Sequence, residues 1–170
     1  MSDNKSMSTI TYLEMHSRPE STEPVLPQGK LRIEKVALPP VPFYREMYQA
    51  VGGPWNWSER KRLSDSELRE VIQHPDIAIY VLRNEGRISG FAEMDLRQKP
   101  EIELKYFGLV PECIGKGYGR HFLHWIVKKA WDMQPSRLWL HTCDRDHPGA
   151  LTFYQKAGFV ICQAETRRRD

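Results

Sequence analysis

The chain has 170 residues, of which 40% are hydrophobic and 28% charged, and a formal net charge of +3. That length suits one domain with a substantial core, and that balance belongs to globular chains. The basic residues are scattered and form no nucleic-acid-binding block, and no apolar run is long enough for a signal peptide or a membrane span. Three widely spaced cysteines, Cys113, Cys143 and Cys162, give neither a disulfide framework nor a CxxC metal motif and fit a reducing, cytoplasmic setting.

Residues 1–28, rich in Ser, Pro, Glu and Thr, read as a mobile leader, and residues 29–170 as one mixed α/β domain without internal repeats. "KLRIEKVAL" alternates as a strand, and "PPVPFYREMYQAVGG" has the proline start and glycine end of a helix. The loop "GGPWNWSERKRL" follows, carrying Trp55 and Trp57. "SDSELREVIQHP" is a second helix, whose Ser64 and Glu67 fit an S-x-x-E capping box. "IAIYVLRNEGRISGFAEMDL" reads as a hairpin turning at Asn84-Glu85-Gly86.

"IELKYFGLV" is the next strand, and Gly108 interrupts its alternation near the end, which predicts a bulge or a splayed edge. In "RHFLHWIVKKAW", Phe122, Leu123, Ile126, Val127 and Ala130 share one helical face. "RLWLHTC" is a strand, "PGALTFYQKAG" a short helix, "FVICQAE" a last strand, and "RRR" at 167–169 a solvated tail.

Gly115, Gly117 and Gly119 thus stand where a strand becomes a helix. A helix start has unpartnered N–H groups and partial positive charge, and glycine lets an anion reach the backbone, so a phosphate is the expected guest. A connector using glycine only for tight turning is the alternative. The Walker pattern fails because Lys116 precedes Gly117 rather than Ser or Thr. The dinucleotide pattern fails because Arg120 stands where its third small residue belongs.

A third pattern fits. Strand, "VPECIGKGYGRHFL", helix, strand and "ALTFYQKAGF" resemble the GNAT superfamily of acetyl-CoA-dependent N-acetyltransferases from about Leu31 onward, most specifically over residues 101–160. The resemblance implies a single GNAT-like domain: a central, mostly antiparallel sheet with a splayed cofactor-binding edge, flanked by helices. It implies acetyl-CoA as cosubstrate, its pyrophosphate held by the segment Ile114, Gly115, Lys116, Gly117, Tyr118, Gly119 and Arg120. Ile114 falls at the family's Arg/Gln position and departs from it. His147 stands where the family often has an Asn beside the cofactor. The pantetheine arm is expected along the backbone of Leu109 and Val110, with the amide near Leu109 polarising the thioester carbonyl.

The resemblance also assigns the chemistry. Glu103 matches the carboxylate that serves as base in some members, against the alternative of a solvent-facing glutamate beside Lys105. Tyr154 matches the acid that protonates the departing thiolate, against an ordinary place in the stripe Ala150, Leu151, Tyr154, Ala157. The acceptor is expected to be a small-molecule or peptide-borne primary amine. Glu59, Glu93 and Glu103 are candidates to attract its ammonium, and Trp55 and Trp57 to hold an apolar portion. Neither nucleic acid nor membrane is an expected partner; a homodimer is compatible with the sequence.

Two rivals stand beside this reading. One is a non-catalytic acyl-CoA-binding module, which Ile114 favours. The other is a metal or Cys/His site in "HTCDRDH", where Asp146 or His147 alternatively serves as a helix cap.

Overall fold

The computed structural model describes residues 7–20 and 23–168. Seven strands form one sheet in the order β2-β3-β4-β5-β6-β1-β7: β1 Met7–Met15, β2 Leu31–Lys35, β3 Ile77–Asn84, β4 Arg87–Asp95, β5 Glu101–Leu109, β6 Arg137–Cys143 and β7 Val160–Arg168. All neighbours are antiparallel except β5 and β6. Four helices accompany it: α1 Val41–Gly52, α2 Asp65–Ile72, α3 Tyr118–Asp132 and α4 Ala150–Lys156.

Local chemistry explains most of these bounds. Pro40 precedes α1 in extended conformation. At the start of α2, the Glu67 amide donates to Ser64 Oγ at 3.2 Å and the Ser64 amide to Glu67 Oε2 at 2.7 Å, closing the expected capping box. The β3–β4 hairpin turns on Glu85 and Gly86, both at positive φ, which suits the right-handed twist of its strands.

Phe91 pairs with Gly108 across β4 and β5, and Ala92 pairs with Phe107, so Phe91 and Phe107 lie on opposite faces. Phe91 meets Tyr44 of α1, while Phe107 meets Phe122 of α3 and Phe153 and Tyr154 of α4. The helices therefore sandwich the sheet. The predicted face of α3 is buried, joined by Tyr118 and Trp131.

Two expectations are corrected. Residues 7–15, inside the expected leader, form β1, threaded between β6 and β7 with Ile10 opposite both Cys143 and Glu165. Leu13 and Met15 are buried there, and that burial holds the segment in place; residues 1–6 and 21–22 of the leader lie outside the described residues. Gly108 keeps its register. The bulge falls at Lys105, because Glu93 pairs with Tyr106 and Met94 with Leu104, leaving Lys105 extra. Gly108 is glycine for contact: a Cβ there would stand 2.6 Å from Val51 Cγ1.

The feature that makes the site is a parting within the sheet. The β5–β6 ladder runs only from Glu101, Ile102 and Glu103 to Arg137, Leu138 and Trp139. Beyond it the strands diverge. The splay thus lies in the middle of the sheet, between its two halves, rather than at an outer edge.

Candidate active site

A cleft of about 730 Å³ occupies the parting. Its walls are β5 from Leu104 to Leu109, β6 from Leu140 to Cys143, the loop after α1, the start of α3, and α4.

At one end stands the glycine segment. Gly115 and Gly117 have φ of +84° and +81°, a left-handed conformation that side chains with a Cβ rarely adopt. A Cβ on Gly115 would meet nothing within 4 Å, and one on Gly117 only Pro27 at 3.9 Å, so the space over this turn is open. Gly117 begins α3 without a side-chain cap, and no acidic residue stands in the first turn. The residues present therefore fit a phosphate. Ile114, Gly115, Gly117, Gly119 and Arg120 line the cleft. Lys116 and the Tyr118 side chain do not. Tyr118 is buried, its hydroxyl donating to the Gln28 carbonyl at 3.4 Å and accepting from Asn84 Nδ2 at 3.3 Å, so only its backbone is left to the ligand.

Leu109 lines the cleft, but Val110 does not. The Val110 amide donates to Ser89 O at 2.9 Å and its carbonyl already accepts from the Cys113 amide at 3.0 Å, so the expected pantetheine contact there is corrected: its one N–H is spent and it stands off the cleft wall. The unpaired edge of β5 is residues 104–109.

Tyr154 faces the cleft from α4, ringed by Phe107, Phe153 and Phe159. Burial, reinforced by the Asp146 carboxylate, pushes its hydroxyl far above the ordinary phenol range and keeps it protonated. Asp146 is itself fixed by the Cys143 amide at 2.9 Å, the Thr142 hydroxyl, and the Trp57 indole N–H at 3.3 Å. The last contact bridges the cleft. Trp55 adds a second, edge to face on His147 at 5.5 Å, while His147 Nδ1 accepts from the Gly149 amide at 3.0 Å. Trp57 is half-buried against Tyr48, Phe91 and Tyr106, so it anchors its loop while lining the cleft.

The other end is a chain of charges. Glu59 accepts from the Tyr106 hydroxyl at 3.1 Å and pairs with Lys105 Nζ at 3.2 Å. Lys105 Nζ also lies 3.9 Å from Glu103, which lies 3.9 Å from His141 Nε2. Burial raises the Glu59 carboxyl, but Lys105 and Tyr106 outweigh it and leave it below its ordinary range. At Glu103 burial prevails over Lys105, and with Asp95 and Glu59 nearby its carboxyl rises. Burial, then Lys105, lowers His141, holding the imidazole neutral near pH 7. Glu59, Lys105, Tyr106 and His141 line the cleft, and Glu103 stands just behind them.

Glu93 is corrected as an acceptor ligand. It is fully buried, paired with Arg60 and accepting from the Tyr44 hydroxyl at 2.6 Å, and it is absent from the cleft wall. Its work is to pin the loop bearing Trp57 and Glu59 to the sheet. Sequence reading missed Ser8 and Ile10, which line the cleft from β1, and Tyr106. The alternation of Ile10 and Tyr12 in "STITYLEM" was the available signal for that strand. Among the described residues no three His, Cys, Asp or Glu side chains converge as a metal site, and no helix is long and apolar enough to cross a membrane.

Residues 43–159 match the acetyltransferase (GNAT) family profile. Uncharacterized N-acetyltransferases of Mycobacterium bovis and Mycobacterium tuberculosis are 31% identical over 106 residues, 62% of this chain and 67% of theirs. In fold, the chain is similar to a GCN5-related N-acetyltransferase of Sphaerobacter thermophilus, with TM-score 0.67, 15% identity and 93% of this chain covered. The match spans only 50% of that protein's length. It is also similar to the ribosomal-protein-S18-alanine N-acetyltransferase of Escherichia coli, with TM-score 0.63, 17% identity, and 79% and 80% of the two chains covered. The profile match extends over most of the chain and takes in the parting, the glycine-headed α3 and Tyr154, and so the chain belongs to the GNAT family of acetyltransferases.

Proposed function

We propose that the chain transfers the acetyl group of acetyl-CoA to a primary amine by direct attack in a ternary complex. The observation that carries this reading is the parting of β5 and β6, with an uncapped, glycine-headed helix at one end and a protonated tyrosine on its wall. In this reading, amides of residues 115–120 hold the pyrophosphate and Arg120 adds a cation. The pantetheine arm lies along the unpaired edge of β5 up to Leu109. A β5 amide near Leu109 receives the charge developing on the carbonyl oxygen.

The attacking amine must be neutral, and at pH 7 an amine of pKa about 10 is so only about once in a thousand, a cost of roughly 4 kcal/mol. Glu103, with its raised carboxyl, and the neutral His141 beside it are placed to take the proton, directly or through water. Tyr154 protonates the departing thiolate. No acetyl-cysteine intervenes, although Cys143 lines the cleft.

The acceptor in this proposal is a small-molecule or peptide-borne amine with an apolar or aromatic portion, received by Glu59 among Trp55, Trp57 and Tyr106. Three free thiols at Cys113, Cys143 and Cys162 accord with action in the cytoplasm. Calorimetric titration with coenzyme A, followed by thiol release from acetyl-CoA across a panel of primary amines, tests the reading. Binding together with amine-dependent release supports it, whereas a folded protein without coenzyme affinity overturns it. Cys143→Ala should retain turnover; a trapped acetyl-cysteine would overturn the direct route.

A further inference from the structure

Lys105 is the extra residue of the β5 bulge, left without a partner on β4. Here the side chain enters the cleft, only 18% exposed, and its ammonium sits between two carboxylates, 3.2 Å from Glu59 and 3.9 Å from Glu103. These are the groups placed to receive an acceptor ammonium. Lys105 thus occupies that seat with a primary amine of the chain's own. It also lies four residues before Leu109, about 13 Å along a strand, and an extended lysine side chain covers about half of that.

We propose that Lys105 is a site of self-acetylation, modified in cis by acetyl-CoA bound in the same cleft. The inference rests on the acetyl-CoA reading above. The ammonium gives one proton to the Glu103 carboxylate, and the amine nitrogen adds to the thioester carbonyl carbon. As the carbon–sulfur bond breaks, the thiolate takes the Tyr154 hydroxyl proton. The second nitrogen proton returns to the Tyr154 oxygen through water. The products are acetyl-lysine, free coenzyme A and one proton. Acetylation removes the cation shared by Glu59 and Glu103 and fills the seat with an amide, so the modified protein is closed to an outside amine.

The test incubates the full chain with carbon-13-labelled acetyl-CoA at pH 8 and locates acetyl groups by peptide mass spectrometry over time. Holding the amine beside its target raises its effective concentration, so label on Lys105 should appear at least about tenfold faster than on exposed Lys61. The rate per molecule should not change with protein concentration, and Tyr154→Phe should slow labelling of Lys105 but not of Lys61. Label on Lys105 no faster than on Lys61, or at a rate proportional to protein concentration, overturns the inference. Calorimetry with coenzyme A runs in parallel. Coenzyme binding without label on Lys105 overturns self-acetylation and leaves the transferase reading standing, whereas no coenzyme binding removes both.

Discussion

The two ends of the cleft are built on opposite plans. At the glycine segment, backbone groups are left without protein partners: α3 starts without a cap, and the space above Gly115 and Gly117 is open. At the far end every charged group already has a counterpart, in the series Glu59, Lys105, Glu103 and His141. The first end needs only that an anion arrive. In the proposed reading the second must exchange partners before an amine can enter, so its affinity depends on what it gives up.

The largest way to break this contrast is to unpin the paired end. Glu93→Ala leaves the Arg60 guanidinium buried without its carboxylate and should cost about 3–5 kcal/mol, read as a lower midpoint in urea. Retained stability would mean that the loop is held by its tryptophans instead. Next in size, Tyr154→Phe should lower kcat by about 10²-fold with little change in coenzyme affinity. Wild-type kcat would return Tyr154 to the core.

The open end should respond more mildly. Gly117→Ala places a Cβ in a left-handed conformation, which costs about 1–2 kcal/mol of stability, and as the free turn relaxes to escape that strain coenzyme binding should weaken by up to about tenfold in titration calorimetry. Ile114→Arg puts a guanidinium on a cleft-lining position that is 37% exposed and should leave coenzyme affinity equal or tighter, by at most about 1 kcal/mol. A clear loss there would show that the pyrophosphate lies elsewhere.

The smallest effect is a pH dependence at the paired end. The folded chain holds Glu103 protonated to higher pH than the unfolded chain does. Its contribution to stability is therefore present at low pH and is lost as pH rises through the raised value. Glu103→Gln should gain stability relative to the parent near neutral pH and nothing near pH 3. It should also remove a limb of the rate profile that otherwise rises with pH above the ordinary glutamate range.

The same contrast explains what the sequence disclosed. The open end was legible because its requirements are local: the glycines at 115 and 117 run straight into the apolar stripe of α3, and the tyrosine in "FYQKAGF" sits in a short pattern of its own. The paired end depends on partners distant in sequence. Alternation places Glu93 on a face of β4 but does not say that Arg60, from the loop before α2, reaches the same spot. The bulge at Lys105 left no mark, since Ile102, Glu103, Leu104, Lys105 and Tyr106 alternate apolar and polar straight through it. Likewise "STITYLEM" carries strand chemistry, but its partners are β6 and β7 at the other end of the chain.

That placement of β1 sets an order of assembly. Met7 pairs with Arg168 and Met15 with Leu138, so the second half of the sheet closes only when residues 7–15 meet two strands that lie far along the chain, at 137–143 and 160–168. Until they do, β6 presents an unpaired edge, and contacts of such long separation form late and slowly. A β1 from a second copy carries the same side chains to that edge, so strand exchange between chains is a route to misassembly that this topology leaves open. Ser8 and Ile10 ride on the same strand into the cleft wall, so completion of the sheet and completion of that wall are a single event.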